Sequence, residues 1–166
     1  MLTHISVAFS KIIETDGNWL PYISDEIKSG INKIKAEIIS QNADTKLLLS
    51  VGGIKADGFC QASRTKESRA IFADKIVEMI DEFSLDGIDI DWEYPGESML
   101  GITCCEHCKT DLILLLQELR NRLGEKLLTV AVCSNRNGLS GVFCWEITGD
   151  DKNRILNAMN KGIFGE

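Results

Sequence analysis

Apolar residues along the chain fall into two kinds of run. "LTHISVAF" (2–9), "KLLLSV" (46–51), "LDGIDIDW" (85–92), "LLTVAV" (127–132) and "GVFCWEI" (141–147) are short and apolar or β-branched, which predicts buried strands. Between most of them the period changes to that of a helix. Ile27, Ile31, Ile34 and Ile38 repeat at helical spacing behind Ser24, a residue able to cap a helix. Phe72, Ile76, Met79, Ile80 and Phe83 do the same behind Thr65, and Leu112, Leu115, Leu116, Leu119 and Leu123 form a third stripe that stops at Gly124. Strands alternating with helices predict βαβ units and a parallel sheet, with active groups at the C-terminal ends of the strands. Pro21 and Pro95 are expected just outside regular elements. With no internal repeat, low-complexity tract or linker, residues 1–166 read as one α/β domain.

One junction breaks the alternation. "LLTVAV" runs through "CSNRNGLS" (133–140) straight into "GVFCWEI", which leaves no room for a crossover helix. Parallel neighbours need a dozen or more connecting residues. Either the two strands are not adjacent and parallel, or a segment between them is missing.

The segment "SLDGIDIDWEYPG" (84–96) breaks the strand pattern differently, placing Asp86, Asp89, Asp91 and Glu93 in an otherwise apolar stretch. Burying unpartnered carboxylates is costly, so their spacing needs a reason. Side chains alternate faces along a strand, so Asp89, Asp91 and Glu93 share one face while Ile88, Ile90 and Trp92 share the other. An exposed edge strand would mix Lys, Thr and Ser into such a pattern rather than carry acids alone. Asp86 has the opposite parity, and capping or pairing at the strand start suits it better than catalysis.

Composition narrows the possibilities. A chain of 166 residues with 44% hydrophobic and 26% charged residues can bury the core of one globular domain. The net charge of −7, without a Lys/Arg run, argues against nucleic acid or an anionic membrane as partner and favours a neutral substrate. No apolar run approaches the ~20 residues of a membrane span. The N-terminal "MLTHISVAFSK" lacks the pattern of a secretory leader, so the compartment stays open. A chain of this length does not need disulfides from its six cysteines, and Cys133 and Cys144, in apolar runs, read as buried free thiols.

Residues 86–93, D-G-I-D-I-D-W-E, resemble the D-G-x-D-x-D-x-E signature of the family 18 glycoside hydrolases, the chitinases and their relatives. At ~6% per residue type, five fixed positions coincide about once in a million starts. "LLLSVGG" (47–53) is similar to the family's S-x-G-G on the preceding barrel strand, "LTHISVAF" to its second strand and "GVFCWEITGDD" (141–151) to its last. The resemblance implies a (β/α)8-type barrel, here incomplete. The family's second, third, fourth, fifth and eighth strands are matched, and the first, sixth and seventh are not. The M-x-Y-D of the sixth strand has no counterpart, since the two tyrosines are Tyr22 and Tyr94. Because a complete barrel takes ~250 residues, the chain reads as an internally deleted or truncated member, whose uncovered strand edges would favour self-association.

Hydrolysis of a glycoside needs a carboxylic acid to protonate the leaving oxygen, with its pKa raised toward working pH. Glu93, last in the column, takes that role. The crowded column cannot ionise fully at low cost, and a proton is expected to be shared between Asp89 and Asp91. The resemblance implies substrate assistance: the sugar's N-acetyl oxygen attacks, Asp91 orients and stabilises the oxazolinium, and Asp89 tunes Asp91. It also implies that Ser50 hydrogen-bonds the aspartates and that Trp145 and Tyr94 line the sugar site, where an aromatic face stacks on a pyranose. Gly52 and Gly53 are candidates for close approach of a sugar, or simply turn residues. Phe9 and Trp92 read as core, with Phe9 near enough to touch a sugar.

"TCCEHC" (103–108) offers a Cys105-x-x-Cys108 pair with His107, but four ligands would be needed, and His4 and Cys60 supply no recognisable second pair. Loop thiols are the expectation, with no metal and no cofactor. The resemblance thus implies retaining hydrolysis of β-1,4-linked N-acetylglucosamine polymers or oligomers, with chitin or its oligosaccharides as partner. Two alternatives stand beside it: an inactive glycan-binding, lectin-like protein, and an endo-β-N-acetylglucosaminidase.

Overall fold

The computed structural model describes residues 2–41, 43–98 and 101–131. Its elements run β1 (His4–Thr15), β2 (Asn18–Tyr22), α1 (Asp25–Ser40), β3 (Lys46–Gly52), α2 (Phe59–Ser63), α3 (Lys66–Phe83), β4 (Gly87–Asp91), α4 (Cys108–Leu123) and β5 (Leu127–Val130). One sheet in the order β2-β1-β3-β4-β5 collects the strands. β1, β3, β4 and β5 are mutually parallel, and β2 pairs antiparallel with β1. The expected strand at 141–147, the junction before it, Cys133, Cys144 and Trp145 all lie outside the described residues.

Two of the three long helices start where their caps predict, while α4 starts at Cys108 without a side-chain cap. The Ser24 hydroxyl accepts from Ile27 N–H at 3.3 Å, and Thr65 forms a reciprocal capping box with Ser68. Acids in the first turns of α1 (Asp25, Glu26) and α3 (Glu67) complement the helix dipoles. The stripes then dock on one side of the sheet. Ile31, Phe72, Ile76, Ile80, Leu115 and Leu119 bury against Leu47, Leu49, Val51, Ile88 and Ile90. Each such side chain contributes about 1.5–3 kcal/mol relative to exposure, so this helix-covered face holds the sheet. The other face carries the polar positions of the same strands.

Four features depart from the sequence reading. The first strand does not end at Phe9 but continues to Thr15, turns at Asp16 and Gly17 (φ 51° and 80°), and returns as β2, with Lys11 opposite Tyr22. Pro21, expected outside regular structure, lies in β2 opposite Ile12. A proline fits there because β2 is the end strand of the described sheet and needs no donor on its outer side. β1 is also bulged: Ala8 pairs with Ser50 and Ser10 with Val51, which leaves Phe9 as the extra residue. The short helix α2, absent from the periodicity, follows the turn at Gly58.

Candidate active site

The alternation in β4 is realised as the sequence predicts. Ile88 and Ile90 are fully buried and Trp92 nearly so, while Asp89, Asp91 and Glu93 are half-buried. Trp92 stacks on Phe59 at 5.2 Å between ring centroids and 13° between planes, and both belong to the core. The acids therefore stand on the face away from the helices, at the C-terminal end of a parallel strand. Asp86, before the strand, accepts from Leu47 N–H through its carboxylate at 2.8 Å, and its backbone bonds to Leu47 and Leu127. That is the strand-start pairing expected of it.

Parallel register assembles the site. Ala8, Ser50, Asp89 and Thr129 occupy one row across β1, β3, β4 and β5. Ser50 Oγ, buried, donates to Asp89 Oδ2 at 2.7 Å, and Thr129 Oγ1 donates to Asp89 Oδ1 at 2.6 Å. Both carboxylate oxygens of Asp89 are thus engaged. Thr129 was missed by the sequence reading, although a lone hydroxyl inside the apolar "LLTVAV" was its visible signal.

Asp91 sits one row further along, opposite Gly52. Burial pushes its carboxyl up to about 7, the charges of Glu93 and Asp89 add to the rise, and a hydrogen bond between the Asp91 and Glu93 carboxyls completes it. The carboxyl that is raised is that of Asp91, with Glu93 as its hydrogen-bond partner, while Ser50 and Thr129 occupy the oxygens of Asp89.

Gly52 and Gly53 have φ of 118° and 87°. A β-carbon on Gly52 would stand 2.1 Å from the Asp91 carbonyl oxygen, and one on Gly53 would stand 2.7 Å from the Phe9 ring. Gly53 N–H also donates to that carbonyl at 2.9 Å. These glycines permit close internal approaches, which seat the end of β4 and place the bulged Phe9 ring against Gly53. Phe9 is half-buried beside the site, not core, and Tyr94, next to Glu93, is half-buried as well. The peptide bonds Ala8–Phe9 and Glu93–Tyr94 are cis.

The cysteines differ from expectation too. Cys60, which the sequence left unconnected to "TCCEHC", lies in α2 with its Sγ 3.3 Å from Cys105 Sγ, and Cys105 Sγ is 3.3 Å from Cys108 Sγ. Tertiary packing of α2 against α4 brings them together.

Residues 1–147 match the family model of the glycosyl hydrolases family 18. The chain belongs to that family. It is similar to chitinase A1 of Niallia circulans, with 33% identity over 111 residues, 61% of this chain and 15% of the relative. Among solved structures, the chitinase domain of the spore coat protein CotE from Clostridium difficile has 36% identity and a TM-score of 0.71, over 79% of this chain and 36% of that one. A family 18 N-acetylglucosaminidase from Paenibacillus barengoltzii has 33% identity and a TM-score of 0.67, over 78% and 38%. The chain thus spans well under half the length of these relatives. Its parallel strands and helices form part of the family's (β/α)8 barrel.

Proposed function

We propose that the chain carries the acid machinery of a glycosidase acting on β-1,4-linked N-acetylglucosamine, in chitin or its oligosaccharides. The observation that carries this reading is the Asp89–Asp91–Glu93 column, with Asp91 raised to about 7 in hydrogen-bond contact with Glu93. A carboxyl that is half protonated at neutral pH beside a second carboxyl is a proton store next to a general acid. The relatives' names, chitinases and an N-acetylglucosaminidase, support the substrate class.

In this reading Glu93 protonates the departing glycosidic oxygen. The substrate's own N-acetyl oxygen attacks the anomeric carbon, and the bond to the leaving sugar breaks. Asp91, anionic once its proton is shared with Glu93, orients the amide and stabilises the oxazolinium. Ser50 and Thr129 hold Asp89 so that its charge bears on Asp91 from a fixed place. Water then opens the oxazolinium, with Glu93 accepting its proton. Two displacements on one carbon retain configuration. Time-resolved NMR of chitooligosaccharide cleavage tests this: the β-anomer is expected as first product, and an α-anomer would overturn substrate assistance.

A further inference from the structure

Outside the acid column, one group of side chains has no part in glycoside chemistry. The sulfurs of Cys60, Cys105 and Cys108 all lie within 4.8 Å of one another, and the residues are buried or half-buried. We propose that these three thiols form a soft-metal site that takes one zinc ion and ties α2, after β3, to the start of α4 and the loop before it.

Several observations converge on it. Sulfurs bound to one tetrahedral zinc stand about 3.8 Å apart, given bonds of about 2.3 Å, and the trio needs only small side-chain adjustments from its 3.3 Å contacts to reach this. Cys105 N–H donates to Cys108 Sγ at 3.2 Å, a bond that strengthens as the sulfur becomes anionic. Cys108 opens the sixteen-residue helix α4, whose N-terminal dipole favours a thiolate. Zinc would displace the thiol protons to solvent, and its charge would balance the thiolates in this buried place. A disulfide would join two of the sulfurs and leave the third buried against it, whereas a metal uses all three. Among the described residues Cys104 and His107 lie outside the group, which leaves the fourth position to a ligand beyond it.

The location gives the site a purpose. Asp57, after β3, already accepts from Thr103 N–H at 3.0 Å and Thr103 Oγ1 at 2.8 Å, and Gln61 donates to Thr103 at 3.1 Å. Zinc would fasten α2 to the start of α4 beside this polar clasp.

The test uses the full chain, purified under reducing conditions, loaded with zinc chloride alone and freed of excess metal. Expected are about one zinc per chain, protection of Cys60, Cys105 and Cys108 from alkylation as mapped by peptide mass spectrometry, and a rise in Tm of about 5 °C or more. Cobalt(II) in place of zinc should give thiolate charge-transfer absorption. Cys60→Ser should lose the metal and Cys104→Ser should keep it. The alkylation map needs no variant, so a misfolded Cys60→Ser would not blunt the test. Zinc below about 0.1 per chain, protection that omits Cys60, or a disulfide within the trio in the zinc-loaded protein would overturn the proposal. None of these readouts depends on hydrolysis.

Discussion

At Asp91, burial and two neighbouring carboxylates act in one direction, and stability must follow. The native group holds its proton up to about pH 7, whereas the unfolded chain releases it near 3.8. Between these values the folded state binds more protons, so this residue lowers stability as pH rises from about 4 to about 7, with no further change above. Asp91→Asn should remove that slope. Because the carboxyl is half-buried, the expected gain at pH 8 is about 1–2 kcal/mol, well below the full shift. Urea unfolding at pH 4.5 and pH 8 checks it, and an identical slope in both proteins would clear Asp91. Thr129 makes a different prediction. Thr129→Val deletes the donor to Asp89 Oδ1 and should lower kcat about tenfold with KM and stability little changed. Thr129→Ser should restore kcat, and a change confined to KM would contradict a positioning role.

At the scale of elements, the end of β3 decides where β4 delivers its acids. Gly52→Ala would force an L-residue to φ 118° with its β-carbon against the Asp91 carbonyl. A loss of about 3 kcal/mol and of activity is expected, and thermal unfolding at unchanged Tm would contradict it. The acid column and the long helices were legible in the sequence because each depends on the periodicity of a single element and a local cap. Parity alone separated Asp89, Asp91 and Glu93 from Ile88, Ile90 and Trp92. The Ser50–Asp89–Thr129 row was only half legible, because it depends on the relative register of three strands. The half-buried place of Phe9 was not legible, because a bulge changes the phase of its strand without changing its composition. The hairpin did carry a local signal, Asp16-Gly17 between "SKIIET" and "NWLPY", but the polar residues of these segments hid the strands. The meeting of Cys60 with Cys105 and Cys108 was not legible, since it arises from helix packing over 45 residues of sequence.

For the whole molecule, the chain covers 36% of the CotE chitinase domain and 38% of the Paenibacillus barengoltzii enzyme. The column, its Ser50 and Thr129 supports and the Gly52–Gly53 seat all lie within the described part of the barrel. Under the proposed function a sixth-strand tyrosine would orient the N-acetyl group, and the given sequence has no M-x-Y-D, so a rate roughly 10²-fold lower is expected of this chain. Slow turnover is therefore expected, with Glu93 still decisive for it. The most direct measurement is hydrolysis of a fluorogenic chitotrioside by the purified chain beside Glu93→Gln, with far-UV circular dichroism confirming equal folding. The account predicts slow release above background by the unaltered chain and a loss of at least about 10²-fold in the variant. Equal release by both proteins, or binding of chitotriose by both with no release by either, would contradict it.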